Sequence, residues 1–69
     1  MTQKELLYLE DAIGHEQNIV KLCKSFINNI QDNNLILFIT EAINTHNQNI
    51  TKITNLMEEL QNEWSINHG

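Results

Sequence analysis

The sequence predicts an all-α protein built as a hairpin of two long antiparallel helices. Three observations predict this fold. Apolar residues recur at alternating spacings of three and four along two segments, which is the heptad pattern of packed helices. No proline interrupts either segment. One short polar cluster, Gln31-Asp32-Asn33-Asn34, separates them. The 69 residues make a single domain at most, residues 1–69, with a thin core.

The first helix is expected over about residues 3–30. Thr2 and Glu5 form the T-x-x-E pattern of a capping box, which satisfies the free amides at a helix start. Gly14 lies inside the helix, where glycine costs about 1 kcal/mol relative to alanine. A carboxylate at Glu16 is the single break in the apolar stripe, which we call the first seam: Leu6, Leu9, Ile13, Glu16, Val20, Cys23, Ile27 and Ile30.

The turn is expected at about residues 31–34, since asparagine and aspartate suit turns and helix N-caps. The second helix follows over about residues 34–63, and residues 65–69 are expected to form a frayed tail. An imidazole at His46 is the single break in its stripe, the second seam: Ile36, Ile39, Ile43, His46, Ile50, Ile53, Met57, Leu60 and Trp64.

The apolar surface of each helix is wider than its seam. Ile19 and Phe26 flank the first seam, and Leu35 and Ala42 flank the second. Two helices cover only one narrow stripe of each other, so the surplus must meet another surface. A second copy of the chain would supply it, giving a homodimer that forms a four-helix bundle with these four residues at the dimer interface.

Composition limits the function classes. The net charge is −5, with no arginine, which argues against partners among nucleic acids and anionic membranes. No apolar run has the length of a membrane span, and the N-terminus lacks the features of a secretory signal. Cys23, the lone cysteine, lies in the first seam and is interpreted as a small buried hydrophobe in a reducing compartment. A cytoplasmic protein is expected.

Three polar residues interrupt the stripes at what should be one height of the hairpin. Folding at residues 31–34 brings Glu16 opposite Asn49, with His46 one helical turn away. We interpret Glu16, His46 and Asn49 as a polar core layer that fixes the register of the helices. The alternative is a metal site, because carboxylates and imidazoles on facing helices hold metals in bundles. Glu16 and His46 are then its candidate ligands.

The same residues argue against a catalytic metal centre. Asn49 is a poor ligand for iron, manganese or zinc, and the Glu-x-x-His pattern of bundle metal sites does not occur at this layer. We therefore expect no cofactor. A weakly bound divalent metal would need the Glu16 and His46 side chains of two copies.

A second alternative is a phosphotransfer or signalling hairpin that uses His15. The His15-Glu16 dipeptide is similar to the phosphoacceptor helix of histidine kinases, but the basic residues and the proline of that pattern do not follow. The sequence contains no nucleophile–base set, glycine-rich phosphate loop or cysteine cluster. We therefore predict a protein that is not an enzyme, with no catalytic residues.

The chain resembles the small ferritin-like proteins related to the spore coat protein F family of spore-forming Firmicutes. The resemblance rests on LEDAIGHEQ at residues 9–17, the Gln31-Asp32 turn and THNQNITKITNLM at residues 45–57. It implies a ferritin-like bundle and a structural role in the spore coat. Other coat or sporulation proteins are then the implied partners.

The resemblance also bears on the polar layer. Family members carry His-x-x-His in the second helix. His46 matches the first histidine of that pattern, and Asn49 stands in place of the second. Glu16 matches the acid of the His-Glu-Gln segment. The function expected from the residues and the resemblance together is a non-enzymatic structural or interaction protein.

Overall fold

Two helices packed against each other make up the structure, a computed structural model. It describes the backbone of residues 1–68 and the side chains of residues 1–63. Helix α1 spans Gln3–Ile27 and α2 spans Asn33–His68. They lie antiparallel in a rod 54 Å long and 15 by 12 Å across. The predicted helical hairpin is confirmed over the described residues.

Helix α1 begins with the predicted capping box. The Thr2 hydroxyl accepts a hydrogen bond from the Glu5 amide at 3.1 Å, and the Glu5 carboxylate accepts one from the Thr2 amide at 2.8 Å. The bond from the Thr2 backbone amide, followed by the bond with the Thr2 side chain, lowers the pKa of Glu5. Two of the free amide groups at the start of the helix are satisfied in this way.

This cap should weaken in acid. Because the pKa of Glu5 is lower in the folded chain, its ionised form stabilises the fold above the ordinary value of 4.5, and that contribution disappears as the pH falls through the lowered pKa. An NMR titration of the Glu5 carboxyl should give a midpoint below 4.5. Thr2→Pro removes both hydrogen-bonding groups and should move the midpoint upward. An unchanged midpoint would mean that the capping box does not form in solution.

Helix α1 ends at Ile27, about three residues earlier than the predicted residue 30. The chain tightens there, since the Asn29 amide donates to the Phe26 carbonyl at 3.0 Å and the Ile30 amide donates to the Ile27 carbonyl at 3.4 Å. The Asn29 side-chain amide also donates to the carbonyl of Ser25 at 3.2 Å. In a longer helix, these carbonyls would accept hydrogen bonds from the amides of the next turn. Here the local bonds satisfy them instead, which is typical of helix C-termini.

Helix α2 begins one residue before its predicted start and continues past its predicted end. The Asp32 carboxylate caps it by accepting from the Leu35 amide at 2.9 Å. Residues 65–68, predicted as part of a frayed tail, belong to the helix. No glycine or proline occurs within residues 33–68 to interrupt it. Residue 69 and the Trp64 side chain, the last member of the second seam, lie outside the described residues.

The two seams face each other as their spacing predicts. Every seam residue from Leu6 to Ile30 and from Ile36 to Leu60 is shielded at least in part from solvent. Val20, 7% exposed, is nevertheless the one buried residue among residues 1–63. A single hairpin therefore has very little core from which to gain stability.

Gly14 is a place where stability can be gained. A methyl group on its α-carbon would meet no atom within 4 Å, so alanine fits without strain. Gly14→Ala should raise the free energy of unfolding by about 0.5–1 kcal/mol, because alanine restricts the unfolded chain and favours helix. Urea denaturation followed by circular dichroism measures this change. A lowered midpoint would indicate that another surface packs tightly against Gly14.

Neither helix, over the part of the chain that the structure describes, is long and apolar enough to cross a membrane.

Candidate functional site

The centre of the hairpin holds a hydrogen-bonded group of three polar side chains. The Nδ1 atom of His46 contacts Oε2 of Glu16. The Asn49 side-chain amide donates to Oε1 of the same carboxylate at 3.4 Å. The structure thus brings together all three residues that the sequence placed in one polar layer. Both oxygens of the carboxylate are engaged by α2.

Helix periodicity explains this arrangement. Glu16 occupies a seam position of α1, and His46 occupies a seam position of α2, so both point toward the facing helix. Asn49 follows His46 by three residues and shares its side of α2. Residue 16 therefore lies at the height of residues 46–49, which fixes the register of the whole hairpin.

The pair is only partly covered in one hairpin. The side chain of Glu16 is 20% exposed and that of His46 is 28% exposed. An ionised glutamate can only accept hydrogen bonds, so the imidazole donates from Nδ1. When a neutral imidazole carries its proton on Nδ1, the available lone pair is on Nε2, and Nε2 is then the nitrogen that could bind a metal. The contact also fixes the orientation of the imidazole ring, with Nδ1 toward Glu16.

The group offers few chemical possibilities by itself. Each hairpin contributes one carboxylate and one imidazole as good metal ligands. Among the described residues, no three His, Cys, Asp or Glu side chains come together in a way that could hold a metal ion. A carboxylate or imidazole takes part in catalysis only when a nucleophile or a substrate lies beside it. Among the described residues, the arrangement is a hydrogen-bonded group of one carboxylate, one imidazole and one amide.

His15 is separate from this group. It precedes Glu16 in sequence, but its side chain is exposed, whereas Glu16 points into the seam. Among the hydrogen bonds of the described residues, His15 makes none with the polar layer. The structure therefore does not join the candidate phosphoacceptor to the Glu16–His46 pair.

The second candidate site is an apolar face on one side of the hairpin, which we call the docking face. The predicted interface residues lie on it: Ile19, Phe26 and Leu35 are 39%, 50% and 45% exposed, and Ala42 is half-buried. Two large side chains omitted from the predicted interface, Leu22 and Phe38, are 55% and 68% exposed and lie on the same side. Toward the open end the face continues with Tyr8, Ala12 and Leu56.

The opposite side of the hairpin is polar. Its helical positions carry mainly glutamine, asparagine, threonine and charged residues, with two exposed leucines, Leu7 and Leu37. Large exposed apolar side chains are therefore concentrated on one side. Contiguous apolar surface of this kind marks an interaction site more often than scattered residues do.

Comparison with protein-family models, with curated proteins and with solved structures finds no match for this chain. The resemblance to spore coat protein F relatives therefore rests on the sequence segments quoted above.

The sequence did contain a signal for the omitted interface residues. A second stripe with spacings of three and four runs through Tyr8, Ala12, His15, Ile19, Leu22 and Phe26. On α2, Phe38 lies three residues after Leu35 and four before Ala42, so it continues the flanking stripe of that helix. Treating the flanking residues as full heptad stripes would have placed Leu22 and Phe38 in the interface.

Proposed function

We propose that this chain is a non-enzymatic structural protein that works as a homodimer, with two hairpins packed through their docking faces into a four-helix bundle. The observation that carries the proposal is the row of half-exposed Ile, Leu and Phe side chains along one side of a hairpin whose core is very thin. Fully burying an exposed side chain of this kind contributes roughly 1.5–3 kcal/mol, and burying the exposed half of each contributes about half of that. A lone hairpin forgoes this contribution.

The size of the face suits a second copy. It lies along one side of a rod whose overall dimensions are 54 by 15 Å, so the area open to a partner is at most about the 800 Å² that a standard protein interface buries on each partner. No charged side chain occurs among Ile19, Leu22 and Phe26 of α1 or Leu35, Phe38 and Ala42 of α2. This part of the face on two copies can therefore meet without burying like charges.

Sedimentation equilibrium at micromolar concentration tests the dimer. A mass of twice the 8.1 kDa chain is expected, with helix content and dimer lost together on dilution. A compact, stably helical monomer would overturn the proposal.

The biological setting we propose is assembly of a spore coat, with coat or sporulation proteins as partners and a ferritin-like bundle as the unit. Its support is the resemblance carried by residues 9–17 and 45–57. Expression of the gene confined to sporulation would support this setting, and expression in growing cells alone would count against it.

A second candidate function, metal binding of ferritin type, is favoured by one observation, the Glu16–His46 contact with Nε2 of the imidazole left free. Elemental analysis of protein purified without chelators tests it. Iron, manganese or zinc in stoichiometric amount, lost in His46→Ala, would establish a metalloprotein.

Asn49 should be the residue that limits metal binding. Asn49→His would place two imidazoles three residues apart on one side of α2, beside the Glu16 carboxylate, giving three good ligands in each hairpin. We expect this variant to bind Zn²⁺ and to gain several degrees in melting temperature with excess Zn²⁺. Isothermal calorimetry measures the binding, with Asn55→His, on the outward side of α2, as the matched control. Equal zinc affinity in wild type and variant would contradict the prediction.

A further inference from the structure

The docking face is uneven along its length. Its half nearest the turn has seven helical positions; one is Thr45, and the other six are apolar. We call these six residues the turn-proximal patch: Ile19, Leu22, Phe26, Leu35, Phe38 and Ala42. Five of these side chains are at least 39% exposed. In the open half, the equivalent positions carry mainly polar or charged residues, including His15, Asn49 and Lys52, and only Tyr8, Ala12 and Leu56 are apolar.

We infer that the two copies pack with both turns at the same end of the bundle, so that each turn-proximal patch covers the other. This inference rests on the proposed homodimer and specifies its geometry. With the turns at the same end, residues of equal height meet across the two-fold axis. The register seen at Glu16, His46 and Asn49 then aligns the turn-proximal patch of one copy with that of the other.

The two other arrangements of the copies fit the face less well. With the turns at opposite ends and full overlap, the turn-proximal patch would lie on the half that carries Asn49, Lys52 and His15, and would desolvate those groups without partners. With the turns at opposite ends and half overlap, the patches would meet, but the open half of each docking face, with Tyr8, Ala12 and Leu56, would remain uncovered. The contact would then fall below the area of a standard interface.

The same-end arrangement also gathers acidic residues. Six carboxylates of each chain lie toward the open end and are exposed: Glu5, Glu10, Asp11, Glu58, Glu59 and Glu63. Because they are on the surface, water and salt screen their repulsion over roughly 10 Å at 0.1 M ionic strength. Apolar burial at the turn therefore outweighs this repulsion, and the open ends of the two hairpins are the looser part of the dimer.

Spin-label distances between the two copies test the orientation. Single cysteines are introduced at the exposed residues Gln31, beside the turn, and Gln61, near the open end, each in a Cys23→Ala background. At a rise of 1.5 Å per residue, these two sites lie roughly 40–45 Å apart along the rod. With the turns at the same end, both label pairs should give distances below roughly 35 Å, the width of a bundle plus the label arms.

The other outcomes separate this inference from the dimer itself. Distances of roughly 45 Å for both pairs indicate opposite ends with full overlap, and a distance of roughly 70 Å for the Gln61 pair indicates half overlap. Either result overturns the inference while the mass remains that of a dimer. Absence of any coupling together with a mass of 8.1 kDa overturns the homodimer as well. Each labelled variant is first compared with wild type by sedimentation and circular dichroism to verify that it is folded.

Discussion

Replacing Phe38 with lysine should abolish the dimer and unfold most of the helix at micromolar concentration. Phe38 is 68% exposed in one hairpin, so the change costs the isolated hairpin little. In the proposed bundle the ring is buried against the partner. Because only the exposed part of the ring gains burial in the dimer, each copy would lose roughly 1–2 kcal/mol of apolar burial, and both copies carry the change. The dissociation constant should rise at least about 30-fold, since each 1.4 kcal/mol is a factor of ten.

Leu37→Lys is the matched control for this experiment. Leu37 adjoins Phe38 in sequence and is 58% exposed, but it lies on the polar side of the hairpin. Its replacement should change the dissociation constant by less than about threefold, because surface substitutions away from packed features have small effects. Sedimentation equilibrium and far-UV circular dichroism over a dilution series measure both variants. Equal effects of Leu37→Lys and Phe38→Lys would mean that the docking face does not hold a second copy.

The hairpin itself could be predicted almost completely from the sequence. The seams identify the facing sides of the helices because helical period fixes which residues share a side. The register also followed, since the turn length places Glu16 opposite residues 46–49. The pairing of Glu16 with His46 could be predicted because an ionisable group in an apolar seam needs a polar neighbour, and each helix has one at that height.

The helix ends could not be predicted to the residue. The C-terminus of α1 depends on competition between continued helix and the local bonds of Asn29 and Ile30, which differ little in free energy. The end of α2 was predicted at about residue 63, whereas the helix continues to His68, because the end of a helix depends on small local differences in free energy that a sequence pattern does not resolve. Leu22 and Phe38 are more exposed than the described seam residues. The exposure of a side chain depends on how the helices pack, which the seam pattern alone does not specify.

The Glu16–His46 pair should show strong coupling in a double-mutant cycle. His46→Leu leaves the Glu16 carboxylate in an apolar seam with Asn49 at 3.4 Å as its remaining partner, and Glu16→Leu leaves the imidazole without its acceptor. Each single change should cost roughly 1–3 kcal/mol, the penalty for leaving a shielded polar group unpaired.

The double variant Glu16→Leu/His46→Leu should be about as stable as wild type or more stable, because two facing leucines continue the apolar seam and no charge remains to be solvated. The cycle should therefore give a coupling free energy of roughly 2–6 kcal/mol by urea denaturation, the sum of the two single costs. Asn18→Leu and Asn55→Leu, on the outward sides of α1 and α2, form the control cycle, with coupling near zero. Strict additivity for Glu16 and His46 would mean that the pair does not form. Strong coupling with a stable double variant would mean that the pair serves to fix the register of the two helices. Leucine at both positions would then stabilise the hairpin equally well, so stability alone would not require the pair.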